Sequence, residues 1–432
     1  MSLYTATCLV VANMVGIGVF TSLGFQLGAG LTPFVILMLW LVGGVCAFCG
    51  SVAYAELAAA LPRSGGEYHF LSRIFHPSVG FLAGWVAITA GFAAPVAASA
   101  MAFGEYIHGI RSTLPAQPIA FAALATITFA MLASVRLRQW FQDFSTSLKL
   151  LTILAFLTVG FLAPAIGSPL APQAGDSARM FSLSSATSLI YVMFAYAGWN
   201  ASSYVTGEVR NPSRNVPLSM ALGTVIVTVL YIALNAVFLR VAPAAEMKGE
   251  LQVGLIAGRH ALGHVGGNWM ALLIAGGLLS TVGAMQWIGP RVLATMGEDS
   301  RALRPFSRVN ASGIPIFATL LQTGIAALML ATGAFERLVY YVQFTITLCS
   351  LFAVLGVFVL RFREPDLPRP VRAWGYPVTP AIFLAVNCWM IWYVLQTHWL
   401  ECLASLGTFV AGLIVFQLSQ RRDGSGKGTP AE

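Results

Sequence analysis

The sequence predicts an all-α integral membrane protein with twelve transmembrane helices, and two observations carry that expectation. Of 432 residues, 57% are hydrophobic and only 9% charged, where a soluble protein has about a quarter charged. So few charges could not cover the surface of a soluble fold. Apolar stretches of spanning length, about 20 residues each, also recur along the whole chain. The 42 glycines and 28 phenylalanines suit helices packed closely in lipid. Disordered, collagen-like, coiled-coil and secreted disulfide-rich classes are excluded by the same composition.

In order, the stretches fall at 5–30, 33–60, 78–107, 117–135, 143–164, 182–207, 217–241, 265–293, 313–333, 337–361, 379–397 and 400–419. The first starts almost at Met1, lacks a basic leader and shows no small-residue cleavage site, so it reads as a span rather than a cleaved signal. With both termini inside, 17 basic residues fall on the cytoplasmic side and six outside, while Lys149 lies within span five. That bias fits the positive-inside rule, so the net charge of +8 describes topology rather than nucleic-acid binding. The expected location is a cell membrane, inner or plasma, crossed many times. Outer connections 165–181 and 242–264 have room for a surface helix at most, and the tail 421–432 is expected to be disordered. Function must therefore sit among the helices.

Two spans carry signs of a break. Span one contains Asn13-Met14-Val15-Gly16-Ile17-Gly18-Val19-Phe20, and each glycine weakens a helix by about 1 kcal/mol relative to alanine. Close helix packing through small residues explains the same glycines. Span six holds Phe194-Ala195-Tyr196-Ala197-Gly198-Trp199-Asn200, which an aromatic packing stripe also explains. Their positions five spans apart strengthen the functional reading, because paired broken helices in corresponding halves mark a transporter's binding site. Unwound backbone at this depth survives only against protein or a water-filled cavity. Free N–H groups and a half-helix N-terminus attract a carboxylate there, and free carbonyls hold an ammonium. That pairing suits a zwitterionic amino acid.

At these residues the chain resembles the amino acid–polyamine–organocation superfamily, and within it the L-type amino acid transporter branch and its bacterial relatives. Gly16-Ile17-Gly18-Val19-Phe20 is similar to the family's G-S-G-I-F, and Pro62-Arg63-Ser64-Gly65-Gly66-Glu67-Tyr68 to its P-[KR]-S-G-G-[DE]-Y. Phe194 to Asn200, Glu208-Val209-Arg210-Asn211-Pro212 and Arg214-Asn215-Val216-Pro217 resemble F-A-Y-G-G-W-N, E-[VM]-x-N-P and R-N-[LIV]-P. Leu279-Ser280-Thr281-Val282-Gly283 resembles L-S-T-F-G.

The resemblance implies a leucine-transporter-type fold: an inverted repeat of five plus five helices, then two extra C-terminal ones. Repeat one would cover 1–164, unwound near 14–18; repeat two 165–361, unwound near 194–199; the last two helices 362–420. It implies that N–H groups of Gly16, Ile17 and Gly18 receive the substrate carboxylate. Carbonyls near Met14, Phe194 and Ala197 would accept its ammonium, with Ala195 on the same wall. Phe194 would cover the substrate as a thin gate, and Asn200 would lie near the substrate side chain. Lys149 matches a lysine that replaces sodium in sodium-independent relatives, tying span five to the span-one break and to Ser280.

Read from the residues alone, Lys149 either snorkels to the interface or meets carbonyls of the broken helix. At that depth it is also a candidate proton carrier. Two departures from the family pattern, Ile17 for serine and Ala197 for glycine, favour a small or medium neutral amino acid. Glu56 and Asp143 sit near the cytoplasmic ends of their spans, so no acid is expected mid-membrane for a cationic substrate. Eukaryotic relatives attach a heavy chain through a cysteine between spans three and four. Residues 108–117 contain none, so no disulfide-linked partner is expected.

The remaining polar groups point to no other chemistry. Cys46-x-x-Cys49 lies inside a span with no second pair, and reads as structural. His69, His76, His108 and His398 lie near the interfaces, and His260-x-x-x-His264 has helical spacing but no acid expected beside it. Glu298-Asp299 reads as a solvated cytoplasmic face. No nucleotide, haem or nucleophile motif appears, so neither cofactor nor metal is expected. The expectation is a sodium-independent carrier of L-amino acids working by alternating access, as exchanger or proton symporter. A sensor that binds without transport is the alternative, ahead of a membrane-embedded enzyme; a channel is disfavoured for want of a filter.

Overall fold

The computed structural model describes residues 1–424 except 134, 168 and 312; the side chains of 135–143, 146, 208 and 421–424 lie outside the described set. Among the described residues every regular element is helical. Among the described residues, nine helices are long and apolar enough to cross a membrane, and three shorter apolar helices, Ser147–Leu162, Leu183–Tyr196 and Ile316–Ala331, lie among them.

The first apolar run forms two helices, α1 (Leu3–Met14) and α2 (Gly18–Gly28), separated by three non-helical residues. Ser2 opens α1 by accepting the Thr5 N–H. Thr32 does the same for Val35 at the start of α3 (Pro33–Ala60), whose Pro33 has no N–H to leave unpaired. The short α4 (Glu67–Ile74) precedes α5 (Pro77–Val86). A π-helical stretch, Ala87–Ala93, joins α5 to α6 (Ala94–Ile110). Pro95 provides the reason for the wide turn: its ring clashes with the carbonyl four residues back in an α-helix.

Next come α7 (Ala116–Ala133), α8 (Val135–Leu162) and the five-residue α9 (Asp176–Met180). Span six is again two pieces, α10 (Leu183–Tyr196) and α11 (Ala201–Tyr204). After them run α12 (Pro212–Val241), α13 (Ala244–Met247) and α14 (Val253–Asp299), which bends sharply at Gly263, φ 71°. The chain ends with α15 (Arg304–Ser307), α16 (Ile316–Ala331), α17 (Phe335–Arg363), α18 (Val378–Thr397) and α19 (Trp399–Gly424). Helix α19 thus runs four residues into the expected disordered tail; 425–432 lie outside the described residues, as do the side chains of Arg136, Arg138, Asp143, Arg421 and Arg422.

Helices α3 and α12 pack along their lengths, and α14 packs against α6 and α8. Glycines allow the closest approaches: a Cβ on Gly44 would overlap Thr228 of α12, and one on Gly43 would overlap Val192 of α10. At one end of the bundle, Glu56, 1% exposed, fixes the connection from α17 to α18. It accepts from Arg361 at 2.8 and 2.6 Å and from the Ala373 N–H at 2.7 Å. Asp299 binds Arg63 at 2.8 Å and the Tyr68 hydroxyl at 2.8 Å. It is therefore a tie between α14 and the 61–76 connection, not merely the solvated face expected. At the opposite end, Phe25 stacks on Tyr191 at 5.1 Å and on Phe335 at 6.0 Å.

Candidate functional site at the paired helix breaks

Both breaks occur where glycine interrupts an apolar helix. Helix α1 ends at Met14, and α2 begins with no side chain capping its first N–H groups. Helix α10 ends at Tyr196; Ala197 is extended (ψ 142°) and Gly198 has φ 103°, a conformation only glycine adopts readily. The two breaks face one another. Asn13 donates to the Gly198 carbonyl at 3.4 Å, and a Cβ on Gly18 would overlap the backbone of Ala195.

The breaks line a cavity of about 100 Å³, which has room for several waters. Met14, Gly16, Ile17, Gly18, Phe194, Ala195, Ala197 and Asn200 all lie on its wall. The π-helical stretch contributes Ala87, Gly91 and Phe92; α14 contributes Thr281 and Met285; α17 contributes Val342, Gln343 and Thr347. Helix α18 adds Phe383 and Asn387.

Several backbone acceptors at the breaks already carry one donor. The Met14 carbonyl accepts the Tyr231 hydroxyl at 2.6 Å, and the Phe194 carbonyl accepts the Ala197 N–H at 3.2 Å. Each keeps a second lone pair. Tyr231 also donates to the Ala195 carbonyl, at 3.0 Å, so one buried hydroxyl on α12 touches both broken helices.

Lys149, 3% exposed, stands behind the first break rather than on the cavity wall. Its ammonium lies 2.5 Å from the Val15 carbonyl and 3.2 Å from that of Ala12. The expected contact with Ser280 is not made. The hydroxyl partner is Thr281, at 3.4 Å, while Ser280 Oγ has no partner among the described residues. The lysine stem lies over Gly277, where a Cβ would sit 3.3 Å from it. Thr281 is one turn further along that face, whereas Ser280 is rotated away from it.

Two other expectations are corrected. His260 does have an acid beside it: Nε2 lies 2.8 Å from Glu246 of α13, and the bend at Gly263 takes His264 off the same helical face. More consequentially, Glu67 brings an acid to the cavity wall, although no acid was expected there. Its own sequence position, in the linker after span two, concealed this, because only tertiary packing turns α4 inward. Tyr231 and Asn387 were not expected at the site, and Asn13 was expected only as part of the first break. An isolated tyrosine mid-span was the available sign for the first, since a buried hydroxyl in lipid needs a partner.

A chain whose described elements are all helical, with many helices of spanning length and two facing helix breaks around a polar-lined cavity, fits a multi-pass transporter-type membrane protein. Residues 1–411 match the family model described as amino acid permease, and the chain belongs to that family, within the amino acid–polyamine–organocation superfamily. It is similar to b(0,+)-type amino acid transporter 1 of Mus musculus, 27% identical over 400 residues, 90% of this chain and 81% of the relative. Asc-type amino acid transporter 1 of Mus musculus is 27% identical over 439 residues, covering 96% and 80%. Large neutral amino acids transporter small subunit 2 of Mus musculus is 25% identical over 430 residues, again 96% and 80%. These relatives are named for transport, and the chain is a transporter-family protein rather than an enzyme.

Proposed function

We propose that this protein carries L-amino acids across the membrane by alternating access, without sodium. The observation that carries the reading is the pair of facing breaks, 15–17 and 197–200, on the wall of one cavity. At the N-terminus of α2, where the N-cap residue Ile17 makes no side-chain cap bond, the N–H groups of Gly16, Ile17 and Gly18 receive the carboxylate. Second lone pairs on the carbonyls of Met14, Phe194 and Ala197 hold the ammonium, with Ala195 beside them. Phe194 covers the substrate and Asn200 meets its side chain. Ile17, Met193, Val342 and Ile346 give the wall apolar contacts for a neutral side chain. The Lys149 ammonium, donating to the carbonyls of Ala12 and Val15, takes the place of a coordinated sodium ion in this reading.

In this reading twelve spans form two inverted repeats, 1–164 and 165–361, followed by 362–420 as the last two spans, with both termini cytoplasmic. Contacts of α3 with α12, α6 with α14 and α7 with α16 support it, since each joins corresponding members of the two halves. No disulfide-linked subunit is proposed, because 108–117 contain no cysteine. Uptake of labelled amino acids into proteoliposomes tests the function. Uptake that requires internal amino acid identifies an exchanger; uptake into empty vesicles that grows with an inward proton gradient identifies a symporter. Binding without flux leaves the chain a sensor, and a sodium requirement overturns the role given to Lys149.

A further inference from the structure

A second cavity, of about 390 Å³, lies where α3 ends and α12 begins, at the end of the bundle that the charge bias assigns to the cytoplasm. Arg214, in the first turn of α12, and Arg372, in the connection from α17 to α18, both line it. The rest of the wall is apolar, with Val52 and Ala55 from α3, Leu218 from α12 and the Trp374 ring. Among the described residues no carboxylate lines the cavity and neither arginine has an acidic partner. Four other arginines at this end do hold acids: Arg63 on Asp299, Arg73 on Glu364, Arg361 and Arg369 on Glu56. Two guanidinium groups on one concave wall give a positive field with no internal counter-charge, and guanidinium matches a phosphate with paired N–H donors.

The loop side of the cavity is fixed in place. Between Arg372 and Trp374, the Ala373 N–H donates to the buried Glu56 at 2.7 Å. Trp374 itself is exposed, as an indole is where a membrane meets water. From Leu218 an apolar stripe continues along α12 through Leu222, Val225 and Val229, spaced by four, three and four residues and so on one helical face. Leu222, Val225 and Val229 are exposed, and α12 is among the helices long and apolar enough to span. The arginines thus sit at the membrane surface, and the stripe runs from them toward the bilayer interior.

We propose that this cavity binds an anionic phospholipid, with its phosphate on Arg214 and Arg372 and one acyl chain along Leu222, Val225 and Val229. Basic cavities between membrane helices select such headgroups by charge. The site requires that the chain cross a membrane; it does not depend on what the chain carries.

The test offers the detergent-solubilised full-length chain equal amounts of dioleoyl phosphatidylglycerol and dioleoyl phosphatidylcholine, and counts bound lipid by native mass spectrometry. The wild type is expected to retain phosphatidylglycerol at least fivefold over phosphatidylcholine, and Arg214→Gln with Arg372→Gln to abolish that preference. Replacing both by lysine, which keeps the charge, should preserve part of it. Arg372→Gln alone loses no protein partner, should lower the preference at least twofold, and decides the matter if the double variant does not fold. Arg308→Gln removes an exposed arginine at the same end but off the cavity, and should leave the preference unchanged. Equal retention of the two lipids by the wild type overturns the site, as does an unchanged preference in the glutamine variants. An equal loss in Arg308→Gln overturns it in favour of diffuse surface charge. Displacement of the bound phosphatidylglycerol by millimolar inorganic phosphate overturns it in favour of a free-anion site.

Discussion

The ammonium of Lys149 lies 2.5 Å from the carbonyl of Val15, a residue 134 positions earlier in the chain. That bond, with those to Ala12 and Thr281, ties α8 to the first break and to α14. Lys149→Met keeps the length of the stem and removes all three donors. Each buried acceptor left without a donor costs about 1–3 kcal/mol, and about 1.4 kcal/mol is a tenfold change. The initial rate of amino acid uptake into proteoliposomes should fall at least tenfold. Wild-type uptake by Lys149→Met at every pH tested would rule out the coupling role proposed for it.

Tyr231 makes the corresponding link from α12, reaching the carbonyls of Met14 and Ala195 with one hydroxyl. Tyr231→Phe retains the ring, which packs edge-on against Trp40 at 5.4 Å, and deletes only those bonds. A net loss of about 1–3 kcal/mol is expected for two bonds. Thermal unfolding of the detergent-solubilised protein should show it as a lower midpoint, partly recovered by bound substrate if the tyrosine orders the breaks.

How much of this was legible beforehand depended on the range of the interaction. The breaks were readable because glycine's cost to a helix is local, and Gly16, Gly18 and Gly198 sit within a few residues of each displaced carbonyl. Lys149 was readable because a charge in an apolar run demands a partner, but the choice of Thr281 over Ser280 depended on the rotation of α14, which no spacing in α8 encodes. Glu67 was hidden for the opposite reason. It lies in a polar linker, where a carboxylate is ordinary, and only the packing of α4 against α17 brings it to the cavity. The π-helical stretch before Pro95 was equally silent, since most prolines near a helix start fit without it.

The approach of the two breaks gives a steric prediction. At Gly18 any Cβ would fall on the backbone of Ala195, and backbone cannot rotate aside as a side-chain end can. Gly18→Val should therefore separate α2 from α10 and reduce substrate affinity at least tenfold. Gly276→Ala is the control, because a Cβ there meets nothing within 4 Å. Equal affinity in the two variants would show that the breaks do not need to touch.

Glu56 governs the connection from α17 to α18. Removing one partner of a buried ion pair costs roughly 3–5 kcal/mol, and Glu56→Gln removes the charge that Arg361 and Arg369 share. Arg361 also lies over the Tyr376 ring at 3.7 Å, so its displacement should loosen residues 364–377 as a unit. Limited trypsin digestion should then cut after Arg369 or Arg372 faster than in the wild type. Identical digestion rates would mean that the bonds from Arg369 to the carbonyls of Leu360, Glu364, Pro365 and Leu367 hold the segment without Glu56.

At the other end, Asp176 supplies a pH-dependent tie. The Gln173 N–H donates to its carboxylate at 2.7 Å, Thr32 at 2.9 Å and Arg179 at 3.1 Å, and these donors hold its carboxyl below the usual range. A carboxyl whose folded pKa is depressed contributes stability above its unfolded value, about 4. That contribution is lost as pH falls through the folded value. The protection of residues 170–182, taken relative to the intrinsic exchange rate at each pH, should be high at neutral pH and fall in acid below that point. Asp176→Asn should show low protection throughout, because the amide keeps only one of the two acceptor oxygens; a pH-independent wild type would show that Thr32 is held by packing instead.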